Sequence, residues 1–223
     1  MKTTAEQLLE IYQLLFDAFG PQHWWPGETP FEIAVGAVLT QNTSWTNVEK
    51  AIANLKADGR FDATALHELG IEQLETLIRP AGYFRVKAKR LRNFTTWLCD
   101  WHAGDLQSLE AFGTSQLREE LLGVSGIGPE TADSILLYAL DRPIFVVDTY
   151  TARVMVRHGL IGPDLDYQQL QDLFQSNLEP DVALFNEFHA LLVMTGKDYC
   201  KPRPKCPGCP LQTLPHSTET ELH

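Results

Sequence analysis

Apolar residues recur at helical spacing along almost the whole chain, and glycine and proline cut that pattern into short runs. The first run follows Thr4-Ala-Glu-Gln7, which reads as a capping box, and places apolar residues at 8, 9, 11, 12, 15, 16 and 19. The same spacing predicts helices over 31–41, 46–56, 63–69, 71–79, 87–101, 106–112, 115–122, 130–140, 149–158, 167–177 and 182–196. Breaks fall at Gly20-Pro21, Pro26-Gly27, Gly59, Pro80, Gly82, Gly113, Pro143 and Gly162-Pro163. Ile144-Phe-Val-Val147 has the composition of a strand but no partner run, and an isolated strand of that length does not hold together. It reads as extended chain. The expected fold class is therefore all-α.

No apolar stretch approaches the roughly 18 residues of a membrane span. The start, Met1-Lys-Thr-Thr-Ala-Glu-Gln7, lacks the basic-then-apolar order of a signal peptide. The expected location is the cytoplasm, with no membrane partner. A net charge of −11 argues against nucleic acid at first sight. Distribution qualifies that total. Arg85, Lys87, Lys89, Arg90 and Arg92 bring five of the 18 basic residues into one short segment. Such a run is either a solvated helix face or a local patch for phosphates.

Gly123, Gly126 and Gly128 lie between two helical runs, in Leu122-Gly-Val-Ser-Gly-Ile-Gly-Pro-Glu130. Glycine permits the positive φ and close backbone approach of a tight hairpin. The exposed N–H groups of such a hairpin, with a helix opening at Pro129, form an anion site. A plain tight turn would use the same residues. Eighteen residues beyond Glu130, Phe145-Val-Val-Asp148-Thr places a carboxylate just ahead of another helix. There it caps the helix, acts on a substrate, or does both.

The joint pattern Gly-Ile-Gly-Pro-x-Thr-Ala and Val-Asp-Thr-x-x-x-Arg resembles the helix-hairpin-helix DNA glycosylases of the endonuclease III superfamily. The resemblance extends to Ala37-Val-Leu-Thr-Gln41-Asn, to Gly82-Tyr-Phe-Arg-Val-Lys-Ala-Lys89 and to the late cysteines, and so covers nearly the whole chain. It implies a monomer that binds double-stranded DNA containing a damaged base. It also implies two helical domains with a cleft between them. One spans residues 28–140 and carries the hairpin; the other joins 1–27 to 141–223. Asp148 would be the catalytic carboxylate, stabilising positive charge on the deoxyribose as the glycosidic bond breaks. Gln41 resembles the residue that enters the duplex where a base is flipped out. Gly123, Gly126, Gly128, Lys87, Lys89, Lys201 and Arg203 would contact the DNA.

One position departs from the bifunctional members. They place a catalytic lysine two residues after the last hairpin glycine, where this chain has Glu130. A carboxylate cannot form a Schiff base, so a monofunctional enzyme using water is expected. His23-Trp24-Trp25-Pro26 and Trp45 are similar to the aromatic residues of the bacterial 3-methyladenine DNA glycosylases that lack this lysine. The resemblance implies a base pocket of Trp24, Trp25, Pro26, Trp45 and Glu130, suited to a cationic methylpurine. Tryptophans are also common core anchors. Excision of mispaired or oxidised bases, and non-catalytic DNA binding, are the alternative functions.

Cys99, in Trp97-Leu-Cys-Asp-Trp101, reads as a buried helical thiol, while Cys200, Cys206 and Cys209 cluster near the end. Many relatives in the resembling family bind a [4Fe–4S] cluster through four cysteines. Here the fourth position is Pro215, with His216 beside it. A [4Fe–4S] cluster held by Cys200, Cys206, Cys209 and His216, a zinc ion on the same residues, or an unmetallated loop all fit this pattern.

Overall fold

The computed structural model describes residues 2–59 and 61–218, and among them there is no β-strand. In chain order the α-helices are α1 (Thr4–Phe19), α2 (Pro30–Leu39), α3 (Trp45–Asp58), α4 (Ala63–Glu68), α5 (Ile71–Leu77) and α6 (Phe84–His102). They continue as α7 (Thr114–Gly123), α8 (Pro129–Ser134), α9 (Thr149–Arg157), α10 (Tyr167–Gln175) and α11 (Val182–Asp198). The chain is all-α, as its periodicity requires. Two local details differ from expectation. The run at 106–112 is a 3-10 segment, Leu106–Ala111, and the run at 130–140 divides into α8 and a π-helical turn, Ile135–Ala139. The first capping box also lies one residue earlier. Thr3 Oγ1 accepts from Glu6 N at 3.2 Å while Thr3 N donates to the Glu6 carboxylate at 2.7 Å. Thr3 is extended and Thr4 is already helical, so only the Thr3–Glu6 pair can close reciprocally.

The chain forms two compact units: Trp25–Arg142 is continuous, and the other joins residues up to Trp24 with those from Pro143 onward. No helix among the described residues is long and apolar enough to cross a membrane.

In the continuous unit, α2 is the central helix. Every residue from Ala34 to Leu39 is buried, so this part of the helix has no solvent face. Gly36 lets aromatic rings lie on it: a Cβ there would stand 3.1 Å from Trp45 and 3.2 Å from Trp25 Nε1. The long α6 buries Leu91, Phe94 and Leu98 completely. Cys99 is only half-buried on this helix, and its thiol is pushed up by that burial.

In the split unit, Phe145 stacks on Phe174 at 3.8 Å, and Phe185 and Phe188 meet it edge-on at 5.2 and 5.8 Å. Residues 144–147 lie in neither helix nor strand. They survive without a partner strand because α10 supplies side-chain hydrogen bonds. Phe145 N donates to Gln175 Oε1 at 2.9 Å, and Gln171 Nε2 donates to the Phe145 carbonyl at 2.8 Å. The segment thus delivers Asp148 to the start of α9 from a fixed, dry core.

Candidate active site and nucleic-acid interface

Asp148 is the N-cap of α9. Its Oδ1 accepts from Thr151 N at 2.8 Å and from Thr151 Oγ1 at 2.9 Å. Its Oδ2 lies 3.8 Å from Nε2 of His189, a buried histidine of α11. Burial pushes the carboxyl pKa up. The adjacent imidazole and the two Thr151 donors outweigh that, and the net shift is below the ordinary aspartate value. The result is a half-buried carboxylate held ionised with one oxygen fixed by the helix start. Capping does not exclude chemistry here, because the second oxygen is not used by the cap.

The hairpin is a closed turn between α7 and α8. Val124 N donates to Leu121 O, and Ile127 N donates to Val124 O, both at 3.0 Å. Among the described residues, the amides of Ser125 and Gly126 between them have no backbone acceptor. Gly126 has φ +95°, a conformation that favours glycine. At Gly123 and Gly128 an added Cβ would meet nothing within 4 Å, so those backbones are open to close approach. An ion pair braces the turn: the half-buried Arg118 donates through Nε and Nη2 to the two Asp133 oxygens at 2.7 and 3.1 Å, and Asp133 is fully buried. The sequence reading missed this pair and His189. The signal for His189 was a lone imidazole inside the apolar run Phe188–Val193.

Glu130 is exposed in the first turn of α8. The aromatic residues divide between the units. Trp25 belongs to the continuous unit, with its ring 5.2 Å from Trp45 and 4.9 Å from Tyr138. Pro26 is exposed beside it, and Trp45 Nε1 donates to Glu49 at 3.0 Å. Trp24 belongs to the split unit, where the Lys197 ammonium lies 5.6 Å from its ring centroid.

The basic run is not a single face. Lys87 is 2% exposed and donates to the carbonyls of Leu39 and Ala81 at 2.8 and 2.7 Å. Burial lowers its pKa to about 8. The expected DNA contact through Lys87 is therefore corrected: its ammonium ties α2 to α6 inside the fold. Arg90 donates to Gln41 Oε1, and Arg92 donates to the Leu69 carbonyl. Arg85 and Lys89 are the members of the run that are exposed. Arg203 is exposed and Lys201 half-buried.

Cys200, Cys206, Cys209, His158 and His216 line one cavity of about 20 Å³. Burial raises the Cys209 thiol pKa, and the Cys200 and Cys206 thiols add to the rise. The donor set suits a thiophilic metal. As placed, however, no group of three or more His, Cys, Asp or Glu side chains among the described residues could hold a metal ion. Arg157 Nη1 lies 3.2 Å from Cys200 Sγ, and His216 Nδ1 lies 2.8 Å from the Leu214 carbonyl of its own loop.

A glycine hairpin braced between two helices, with a half-buried ionised carboxylate capping a later helix, defines a helix-hairpin-helix protein built to act on DNA. The chain belongs to the HhH-GPD superfamily of base excision DNA repair proteins, whose profile matches residues 35–180. It is a DNA glycosylase of base excision repair. It is 44% identical, over 93% of its length and 94% of the other protein's, to the Methanocaldococcus jannaschii protein named "Putative DNA repair glycosylase MJ1434". Two solved structures are similar to it. The Helicobacter pylori 3-methyladenine DNA glycosylase MagIII, bound to 1,N6-ethenoadenine, is 30% identical with a TM-score of 0.74, covering 88% of this chain and 98% of that one. A trapped covalent intermediate of endonuclease III with DNA is 25% identical with a TM-score of 0.81, covering 96% of each chain.

Proposed function

We propose that the protein is a monofunctional DNA glycosylase that removes alkylated purines such as 3-methyladenine from double-stranded DNA, acting as a monomer. Two observations carry this reading: Asp148 is half-buried and held ionised, and Glu130 stands in the place of the lysine. The bond between the sugar C1′ and the base nitrogen breaks, and positive charge develops on the deoxyribose. Asp148 stabilises that charge, orients the water that completes the C1′–O bond and accepts the proton that the water loses. The released base takes the bonding electrons and needs no proton when it is already cationic. Trp24, Trp25, Pro26, Trp45 and Glu130 select that base. Indole faces attract a cation, and stacking contributes roughly 1–3 kcal/mol for each base. Gly123, Gly126, Gly128, Lys89, Lys201 and Arg203 contact the backbone, and Gln41 takes the space of the flipped base. Similarity to MagIII at 30% identity supports the substrate class.

Turnover on a methylated duplex in the presence of borohydride tests this mechanism. Free base is expected with no covalent enzyme–DNA product, because Glu130 supplies no amine. A strong crosslink would mean that another amine has taken the lysine's part and that water is not the nucleophile.

The cysteine loop is proposed to take a metal through Cys200, Cys206, Cys209 and His216 once Cys200 and His216 reorient. Iron with sulfide is favoured over zinc. The group would order the loop bearing Lys201 and Arg203, and the reaction does not pass through it. Elemental and sulfide analysis of purified protein is expected to show iron. Stoichiometric zinc would refute the iron–sulfur assignment, and a metal-free protein with full DNA affinity would refute both.

A further inference from the structure

Three polar side chains of α6 stand three residues apart on one stripe: Lys87, Arg90 and Asn93. Each holds a different segment. Lys87 grips the Leu39 carbonyl at the end of α2, Arg90 donates to the side-chain oxygen of Gln41, and Asn93 Nδ2 donates to the Ser125 carbonyl at 2.9 Å. One helix face thus binds the segment after α2 and the hairpin together. Gly126 closes the arrangement. A Cβ there would lie 2.5 Å from Arg90 Cγ and 3.3 Å from Cδ. The hairpin backbone rests on the aliphatic stem of Arg90 while the guanidinium holds Gln41. From the other side, Gln41 Nε2 donates to Thr131 Oγ1 at 2.6 Å, and Thr131 is buried in the first turn of α8.

We propose that Arg90 is a positioning residue: it locks the side chain of Gln41 to the hairpin, so that seating the hairpin on a strand also sets the direction in which Gln41 enters the duplex. The proposal rests on the reading of Gln41 as the residue that fills the vacated stack. A loose glutamine would lose rotamer freedom on insertion, whereas one held at both ends of its amide has lost it beforehand. A guanidinium suits this work because its donors are fixed in one plane, so the stem can pack on the hairpin while the head keeps its bond.

The test is a double-mutant cycle on a duplex carrying an abasic analogue opposite 2-aminopurine. The fluorescence of the opposite base reports insertion without excision. A wild type that inserts here but releases no 3-methyladenine from a methylated duplex therefore removes the proposed substrate reading and leaves this proposal standing. Arg90→Met keeps the stem and removes the donor. It is expected to weaken binding and the fluorescence response about tenfold, the effect of one charge-assisted hydrogen bond. In a Gln41→Ala background the same change is expected to cost less than about twofold. Equal losses in both backgrounds would make Arg90 a general DNA or fold contact, and no loss in the wild-type background would make it a bystander; either overturns the proposal. Should circular dichroism show Arg90→Met unfolded, Thr131→Val, which removes the other hold on Gln41, enters the same cycle with the same two expectations.

Discussion

Asp148→Asn is expected to slow base release by on the order of 10²–10³-fold while leaving DNA affinity close to that of the wild type. Asparagine caps helices about as well as aspartate. The bonds from Thr151 N and Oγ1 therefore keep an acceptor, and α9 starts where it did. What is lost is the negative charge that the Thr151 donors and His189 hold in place. Charge stabilisation is realised as the glycosidic bond breaks, so the loss falls on the chemical step. Single-turnover release at saturating enzyme, beside a binding isotherm for the same duplex, separates the two effects. A near-normal release rate would remove Asp148 from the mechanism.

The second large effect concerns the hairpin brace. Arg118→Met leaves the fully buried carboxylate of Asp133 without its bidentate partner. Leaving a buried charge uncompensated costs up to about 3–5 kcal/mol. The urea unfolding midpoint should fall accordingly. Replacing both partners, Arg118→Met with Asp133→Leu, should recover most of the loss, because an apolar pair needs no compensation. An unchanged midpoint in the single variant would mean that Asp133 is not stabilised by Arg118.

Much of the fold was legible because each helix carries its own start and stop signals. The hairpin was readable for the same reason: the glycines and Pro129 have local meanings, and Gly126 has the positive φ that glycine favours. The basic run misled because it was counted and not placed in phase. Lys87 precedes Leu91, Phe94 and Leu98 by four, seven and eleven residues, which puts it on the buried face of α6. That phase was available in the sequence, but its carbonyl partners at Leu39 and Ala81 were not. Long-range partners were illegible throughout. Nothing local joins Arg118 to Asp133, Gln41 to Thr131, or Asp148 to His189. Trp24 and Trp25 were read together because they are adjacent, and the division between units runs between them. The cysteine spacing indicated a shared loop, while the Arg157 guanidinium against Cys200 could come only from the fold.

The central claim, excision of cationic methylpurines, is tested most directly by comparing lesions under single-turnover conditions. Duplexes of one sequence would carry 3-methyladenine, uracil, an oxidised pyrimidine, 8-oxoguanine or a mispaired thymine, and release of the free base would be timed for each. The account predicts that 3-methyladenine leaves fastest, because its charge favours indole stacking and its glycosidic bond needs no leaving-group proton. Faster release of uracil, of either oxidised base or of mispaired thymine by the folded enzyme would contradict it.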